Sequence, residues 1–191
     1  KSLVINLGGG VVTDLGGFVA STFKRGVDFI NIPTTLLSMV DASVGGKTGV
    51  DLGNLKNQIG VINVPQMVLI DTQYLETLSQ AEMRSGLAEM LKHGLIYDAA
   101  YWKQFLDLAA IDYNALDKLI YRSVEIKNEI VIQDPTEKNI RKALNFGHTL
   151  GHAIESYFLE SESKKTLLHG EAIAIGMILE SYISLHKNLI T

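Results

Sequence analysis

The feature that most restricts the possible folds is a run of three glycines directly after a short apolar segment. Ser2–Leu7 (SLVINL) predicts a β-strand, Gly8-Gly9-Gly10 predicts a turn, and residues from about Val12 to Lys24 predict an α-helix. A strand, a glycine turn and a helix in that order are typical of a parallel α/β sheet, and the helix N-terminus suits a phosphate group. Because the spacing differs from G-x-G-x-x-G, the run alone fits a simple tight turn equally well.

Further strand and helix signals follow in alternation as far as about residue 78. Asp28–Ile32 and Met67–Asp71 predict strands, and Pro33 is expected to open a helix that ends near Val44, because its missing N–H costs nothing there. Gly45–Gly60 is rich in Gly, Lys and Asn and is interpreted as a loop. Alternating strands and helices predict a parallel sheet.

From Ser79 onward the pattern is helical. Ser79 with Glu82 fits a capping box at the start of a helix that runs to about Tyr97. Further helices are predicted at about Ala99–Leu108, Asn114–Gln133, Leu144–Leu159 and Gly170–Lys187. We therefore expect an α/β part at 1–78 and an all-helical part at 79–191.

Composition excludes several classes of protein. The chain of 191 residues has 17 Lys and Arg against 21 Asp and Glu, and this net charge of −4 disfavours a general nucleic-acid binder. The absence of Cys excludes disulfides, thiolate metal sites and cysteine nucleophiles. No apolar run has the length of a membrane span, so we expect a cytoplasmic protein. The strand signal at the first residue predicts that the chain is part of a longer one.

Polar residues at helical spacing mark the most informative segment. His148 and His152 are four residues apart, and Arg141 and Asn145 extend the same predicted helix face. Such a face is either solvated or the wall of a site, and Gly147 and Gly151 favour the wall because they allow another group to come close.

A metal site is one interpretation of these histidines. Glu89, within a mostly apolar helix, either pairs with Lys92 or binds a metal, and His169 stands at the start of the last helix. Two His and one carboxylate from separate helices would make a three-ligand zinc site. The spacing leaves open which histidines would be the ligands.

Basic residues cluster in the loops and near these helices. They are Arg25, Lys47, Lys56, Lys92, Lys127 and Arg141. In an acidic protein such a cluster either converges on an anionic ligand or is a set of surface charges. Lys47 lies in VGGKTG, which lacks the glycine spacing of a Walker A loop.

Several ordered motifs carry a family resemblance across essentially the whole chain. They are GGGVVTDLGGF, FINIPTTLLSMVDASVGGKTGVD, LKNQIG, VLIDTQYLETL, GLAEMLKHG, RKALNFGHTLGHAIE and LLHGEAIAIGM. The chain resembles the 3-dehydroquinate synthases, sugar-phosphate cyclases of the shikimate pathway. The resemblance implies a partial Rossmann-like sheet domain followed by a helical domain. It also implies conversion of 3-deoxy-D-arabino-heptulosonate 7-phosphate to 3-dehydroquinate and phosphate, by transient NAD oxidation, phosphate elimination, re-reduction and ring closure.

The resemblance also assigns roles to residues. The implied metal ligands are Glu89, His148 and His169, with zinc as the metal and cobalt as a substitute. The implied NAD contacts are Gly9, Gly10, Val11, Val12, Thr13, Asp14, Thr34, Thr35, Lys47, Lys56, Tyr74, Thr77 and Leu78. The implied substrate contacts are Arg25, Asp41, Lys47, Asn57, Lys92, Lys127, Arg141, Asn145 and His152, with Lys127 and Arg141 on the carboxylate. The implied catalytic residues are His152, Glu137 and Lys92, the first two as proton acceptors.

Three further expectations complete this interpretation. Arg25 resembles a phosphate contact from a second subunit, so a homodimer is implied. The family enzyme is longer at both ends, so this chain alone is expected to be inactive. The alternatives are a related sugar-phosphate cyclase, a metal-dependent polyol dehydrogenase, or a non-catalytic metal- or nucleotide-binding module.

Overall fold

The structure is a computed structural model that describes residues 2–53, 55–106, 116–161 and 164–190. Its first part alternates strands and helical segments, as the sequence predicts. The elements are β1 (Leu3–Gly8), α1 (Gly10–Thr22), β2 (Asp28–Pro33), β3 (Lys47–Leu52), β4 (Leu55–Ile62) and β5 (Met67–Val68). Short 3₁₀ turns lie at Phe23–Arg25 and Thr72–Thr77, and a π-helical turn lies at Ser38–Ala42.

The predicted parallel sheet is confirmed, with β2 between β1 and β5. Buried beneath α1, the Asn6 side chain donates to Asn31 Oδ1 at 2.9 Å across these strands. Gly16 of α1 is essential to this packing, because a Cβ there would lie 1.9 Å from Asn6 Oδ1. The carboxyl ends of the three strands lie together at one edge of the sheet.

The prediction of a loop at Gly45–Gly60 is wrong. The segment contains most of an antiparallel hairpin, in which β3 pairs with β4. Gly49 and Gly60 face each other, and a Cβ on Gly60 would lie 2.5 Å from the Thr48 carbonyl oxygen. Gly, Lys and Asn are depleted in strands, so composition concealed a hairpin that depends on the close approach of two backbones.

The helix predicted from Pro33 is also wrong in its start and length. Pro33 is the last residue of β2, and helical backbone is confined to residues 36–42. A proline at the end of a strand removes no interior ladder bond, so its missing N–H suits this position as well as the start of a helix. The third strand is also shorter than the predicted Met67–Asp71.

Every regular element that begins after residue 79 in the described part of the chain is a helix. These helices are α2 (Gln80–Tyr97), α3 (Ala99–Lys103), α4 (Leu116–Gln133), α5 (His148–Glu160) and α6 (His169–His186), with a 3₁₀ segment at Ile140–Asn145. Ser79 caps α2 as predicted, because its Oγ accepts the Glu82 N–H at 3.3 Å. The predicted limits at Leu108 and Asn114 lie outside the described residues.

The prediction of one continuous polar helix face from Arg141 to His152 is wrong. Arg141 and Asn145 lie in the 3₁₀ segment, and Gly147 then adopts a left-handed φ of 81° before α5 begins at His148. The backbone therefore changes direction between the two pairs. Glu180 of α6 stabilises the new helix start by accepting the Gly147 N–H at 2.7 Å.

One apolar core crosses the predicted boundary near residue 78. Leu36, Met39 and Val40 are fully buried in the same cluster as residues of α2, α3 and α4. Members from the helical part are Met83, Leu87, Met90, Tyr101, Phe105, Leu116, Leu119, Ile120, Ile126, Ile130 and Leu144. The segment after β2 is therefore packed as part of the helical core. In the described part of the chain, no helix combines the length and the apolarity needed to cross a membrane.

Candidate active site

Two helices that touch through glycines bring the predicted metal-binding histidines together. A Cβ on Gly176 of α6 would lie 2.0 Å from the Gly147 carbonyl oxygen, and one on Gly151 would lie 3.1 Å from the Ala172 carbonyl oxygen. The sequence predicted that Gly147 and Gly151 admit a close neighbour, and that neighbour is α6. The His148 and His169 rings consequently lie 5.5 Å apart.

A second close contact sets α6 against α2. The Gly170 N–H donates to Ser85 Oγ at 2.9 Å, and a Cβ on Gly170 would lie 2.1 Å from the Ser85 carbonyl oxygen. Glu89 lies one helical turn after Ser85 on the same face. The first residue of α6 is therefore held next to a carboxylate in the middle of α2.

The Glu89 carboxylate is fully buried and has one oxygen without a partner. Oε2 accepts from Lys92 Nζ, whereas Oε1 has no hydrogen bond. Oε1 lies 3.7 Å from His148 Nε2 and 3.8 Å from His169 Nε2. A buried carboxylate oxygen without a partner is costly, and two imidazole nitrogens facing it make the ligand set of a zinc site. These three residues could therefore hold a divalent metal.

The other ring nitrogens decide which atoms of the histidines are available. Nδ1 of His148 faces the Phe146 carbonyl oxygen at 3.2 Å, and Nδ1 of His169 faces Glu155 Oε2 at 3.5 Å. Donation from each Nδ1 leaves the Nε2 lone pair free toward Glu89. Nitrogens of His152 also lie within 4.8 Å of those of the other two, so an all-histidine set competes on distance alone.

Charge at this centre is balanced within the buried pair of Glu89 and Lys92. Burial raises the pKa of Glu89, but Lys92 together with the two histidines outweighs it and the pKa is lowered. Burial lowers the pKa of Lys92, but Glu89 and Asp41 outweigh it and the pKa is raised. Both groups are therefore ionised near neutral pH.

The pKa values of the neighbouring histidines are shifted in different directions. Burial, followed by the charge of Lys92, lowers the pKa of His148, and burial, followed by His169, lowers that of His152. For His169, burial lowers the pKa, but the hydrogen bond that its ring donates to Glu155 and the charge of Glu89 raise it overall. His148 and His152 are thus neutral near pH 7, and a neutral imidazole can bind a metal or accept a proton.

The predicted carboxylate-binding cations lie at the junction with the α/β part. Lys127 Nζ contacts both the Asp41 carbonyl oxygen and its Oδ1 at 2.5 Å. Arg141 is buried, and its two terminal nitrogens donate to the carbonyl oxygens of Pro135 and Gly45 at 2.9 Å each. Each of these nitrogens carries a second hydrogen, so the guanidinium can hold the loop and still donate to a ligand.

Two ion pairs join the β3–β4 hairpin to the helical part. Lys47 pairs with Glu137, which also accepts from Asn145 Nδ2 at 2.7 Å. Lys56 pairs with Glu155 at 2.5 Å. The predicted site lysines are therefore bound to carboxylates of the chain itself.

Most of these groups line one cleft of about 920 Å³ between the hairpin and the helices. The fully buried Glu89 does not line it, but its Oε1 lies next to His148 and His169, which do. The predicted site residues that line it are Gly10, Val11, Asp14, Asp41, Lys47, Lys56, Asn57, Lys92, Lys127, Glu137, Arg141, Asn145, His148, His152 and His169. Five of these residues are Lys or Arg, so five of the six clustered cations do converge. The sixth, Arg25, is exposed on the 3₁₀ turn that precedes β2, at the opposite end of the sheet.

The other predicted NAD residues follow the carboxyl ends of the parallel strands. Gly9, Val12 and Thr13 lie at the end of β1, Thr34 and Thr35 follow β2, and Tyr74, Thr77 and Leu78 follow β5. The Thr34 N–H donates to the Gly8 carbonyl oxygen at 2.9 Å, so the first two groups are adjacent. Ligands of open α/β sheets bind at this edge.

Sequence reasoning did not single out three buried polar residues of this region. Glu155 lies three residues after His152 and seven after His148, so helical spacing could have placed it on their face. Asp134 accepts three backbone N–H groups from residues 138–141 and thereby shapes the loop that carries Glu137. His93 is held by Ser123 at 2.7 Å, and burial, followed by the charge of Lys92, lowers its pKa to about 3.

Comparison with sequence families divides the chain into two matches. The family described as 3-dehydroquinate synthase N-terminal matches residues 1–85, and the one described as 3-dehydroquinate synthase C-terminal matches residues 86–191. Curated relatives named 3-dehydroquinate synthase include one from Parabacteroides distasonis, 50% identical over 98% of this chain and 53% of its own length. One from Streptococcus pyogenes is 49% identical over 100% of this chain and 52% of its own. The chain spans about half the length of the curated relatives it matches.

Solved structures of related cyclases superpose on the whole chain. A 2-epi-5-epi-valiolone synthase from Streptomyces hygroscopicus, solved with NAD+ and Zn2+, has a TM-score of 0.89 at 35% identity and covers 100% of this chain and 53% of its own. A 2-deoxy-scyllo-inosose synthase, solved with carbaglucose-6-phosphate, NAD+ and Co2+, has a TM-score of 0.86 at 30% identity and covers 99% and 52%. With both halves of the sequence matched, the chain belongs to the 3-dehydroquinate synthase family.

Proposed function

We propose that this chain forms the metal- and substrate-binding part of a 3-dehydroquinate synthase. The reaction would convert 3-deoxy-D-arabino-heptulosonate 7-phosphate into 3-dehydroquinate and phosphate. The observation that carries the proposal is the unpartnered Glu89 oxygen, which faces two imidazole nitrogens beside a cleft with five cationic side chains. The relatives of about 50% identity that carry this enzyme's name support it.

The proposed cofactors are a divalent metal and NAD. Glu89, His148 and His169 would hold the metal, with Zn2+ the expected ion and Co2+ a substitute. The predicted NAD residues at the carboxyl edge of the sheet, with Lys47 and Lys56 of the hairpin, would hold NAD. When bound, the metal would acidify a substrate hydroxyl and NAD would accept and return a hydride.

The cationic side chains would bind the anionic groups of the substrate. Arg141 suits a carboxylate because its guanidinium is a planar fork of donors, and Lys127 adds a second charge nearby. The remaining proposed substrate contacts are Asp41, Lys47, Asn57, Lys92, Asn145 and His152. Lys47, Lys56 and Lys127 already pair with Glu137, Glu155 and Asp41. An anionic group of the substrate would therefore be a second acceptor for these lysines, placed beside the carboxylates of the chain.

Proton transfer is proposed for His152 and Glu137. The lowered pKa of His152 leaves a neutral imidazole that can accept a proton. Burial raises the pKa of Glu137, but hydrogen bonds from Lys47 and Asn145 lower it overall, so its carboxylate is also ionised and able to accept. Lys92 would keep Glu89 ionised and present a charge to the substrate.

The nearest alternative is another sugar-phosphate cyclase, because both solved neighbours are cyclases of other names. A substrate carboxylate separates the two possibilities. Arg141 and Lys127 beside the same cleft favour a substrate that carries one, whereas a simple sugar phosphate would leave both cations without a ligand group.

Phosphate release tests the proposal directly. The natural gene product, whatever its length, is incubated with NAD, Zn2+ and either the heptulosonate phosphate or glucose 6-phosphate. We expect release from the first and not from the second. Release from glucose 6-phosphate alone would favour the alternative cyclase, and net NADH formation without phosphate would favour a dehydrogenase.

Three other expectations are proposed on the same footing. The domain boundary would lie near residue 78, dividing an α/β unit at 1–78 from a helical unit at 79–191. A homodimer would place Arg25 at the partner's phosphate site, so Arg25→Ala should impair substrate binding without changing metal content. The cytoplasmic location expected from the sequence stays a prediction.

A further inference from the structure

Glu155 is a buried carboxylate that belongs to none of the proposed metal, NAD or substrate sets. It nevertheless contacts Lys56 of the proposed NAD set and His169 of the proposed metal set. It lies on α5, on the same helix face as His148 and His152, and is 5% exposed. Oε1 contacts Lys56 Nζ at 2.5 Å, and Oε2 lies 3.5 Å from His169 Nδ1. Each carboxylate oxygen therefore faces a different structural element, the hairpin in one case and α6 in the other.

We propose that Glu155 is a positioning residue that holds the His169 ring for metal binding, with Lys56 holding Glu155 in turn. The inference rests on the proposed metal site at Glu89, His148 and His169. A carboxylate beside Nδ1 keeps the proton on that nitrogen, so Nε2 carries the lone pair and faces Glu89 at 3.8 Å. The same partner increases the electron density at Nε2 and so strengthens it as a ligand.

The two proposed histidine ligands differ in a way that makes this role specific. His148 Nδ1 is directed by the Phe146 carbonyl oxygen, a main-chain atom that side-chain replacement leaves in place. His169 Nδ1 is directed by a side chain. Replacing Glu155 can thus disturb one histidine ligand without altering a ligand itself.

Lys56 is the second residue that restrains the Glu155 carboxylate. With Lys56 on one oxygen and His169 on the other, the carboxylate cannot rotate without losing one of these contacts. Lys56 is 38% exposed and lies on the hairpin that borders the cleft, so the hairpin is joined through Glu155 to the metal site. We therefore expect Lys56 to affect metal affinity, but less than Glu155 does.

Metal affinity of the 191-residue chain tests the inference without any activity assay. Zn2+ affinity is measured by competition with a chromophoric chelator, and the visible spectrum of the Co2+ complex reports the ligand geometry. Relative to the parent, Glu155→Ala should weaken Zn2+ binding by roughly 10–100-fold and alter the Co2+ spectrum. Glu155→Gln keeps an oxygen acceptor without the charge and should show a smaller loss, as should Lys56→Met.

Two control variants separate this inference from the metal site itself. Glu160→Gln, on the exposed end of the same helix, should bind Zn2+ like the parent, whereas Glu89→Gln should lose most binding. Loss in Glu89→Gln with parent-like affinity and spectrum in Glu155→Ala would overturn the positioning role and leave the metal site intact. A parent chain that binds no Zn2+ would overturn both proposals. Should circular dichroism show that Glu155→Ala is unfolded, the Glu155→Gln result decides.

Discussion

The sheet and the helical part line the cleft with different kinds of residues. At the sheet edge, the proposed NAD residues follow strand ends, and most of them are Gly, Val or Thr. In the helical part, charged side chains from α2, α4, α5 and α6 converge, and Glu89 and Lys92 are fully buried. The first kind of site is specified by local sequence, whereas the second depends on how separate helices pack.

The largest expected effect concerns the buried ion pair of the helical part. Lys92→Met leaves the Glu89 carboxylate buried without its partner, so the free energy of unfolding should fall by about 3–5 kcal/mol in metal-free protein. Urea unfolding measures this loss, and added Zn2+ should restore part of it by giving Glu89 a new partner.

The matched control is the partly exposed network around Arg122 in the same helical part. Arg122→Met removes ion pairs to Asp98, Glu125 and Glu129 that are partly accessible to solvent, so it should cost no more than about 1 kcal/mol. Equal losses in the free energy of unfolding for Lys92→Met and Arg122→Met would show that burial does not make the Glu89–Lys92 pair more important for stability.

The second prediction concerns the contact between α5 and α6. Gly176→Ala forces a methyl group onto the Gly147 carbonyl oxygen, and main chain cannot yield as a side chain does. We expect a loss of about 3 kcal/mol in stability, together with weaker Zn2+ binding. Ile178→Ala on the exposed side of α6 should change stability by less than about 0.5 kcal/mol and leave Zn2+ affinity unchanged.

The third prediction turns to the sheet. Asn31→Ala removes the acceptor of the buried Asn6 side chain, and a buried donor without a partner costs about 1–3 kcal/mol. Zn2+ affinity should not change, because the pair lies beneath α1 and away from the metal site. A loss of Zn2+ binding in Asn31→Ala would mean that packing in the sheet affects the proposed metal site in the helical part.

The smallest effect is a pH dependence from Asp14 at the sheet side of the cleft. Burial, followed by the charge of Asp41, raises its pKa from 3.8 to about 7. Between these values the folded state holds a proton that the unfolded state has lost, so Asp14 favours folding at low pH and this contribution disappears as pH rises through 7. For a fully shielded carboxyl this change in pKa would correspond to about 4 kcal/mol. Asp14 is only half-buried and lines the open cleft, so solvent screening reduces the effect, and Asp14→Asn should gain on the order of 1 kcal/mol relative to the parent between pH 4 and pH 8. A parallel pH profile for the two proteins would contradict this.

In both parts of the molecule, the sequence predicts local patterns but not the contacts between distant segments. The first strand, its glycine turn, α1 and the Ser79 cap are local patterns, and all are present as expected. The β3–β4 hairpin was missed because its stability depends on pairing between two segments that are individually poor strand formers. Likewise, no pattern at Arg141 and Asn145 shows that Gly147 redirects the backbone before His148.

For the candidate site, residue types were predictable but their partners were not. Glu89 was expected either to pair with Lys92 or to bind a metal. The structure allows both, because Oε2 contacts Lys92 whereas Oε1 faces His148 and His169. Glu155 was overlooked because its role depends on Lys56 and His169, which are 99 residues and 14 residues away along the chain. Only packing brings such groups together.

The glycine contact between α5 and α6 has an evolutionary consequence. At Gly176 the spacing between the helices is set by main-chain atoms of Gly147 and Gly151, whose dimensions are the same in every protein. Substitutions on the outer faces of either helix can then accumulate over generations without altering the separation of His148 and His169. Diversification of the rest of the cleft toward new substrates would therefore be free to proceed while the position of the histidines is inherited unchanged.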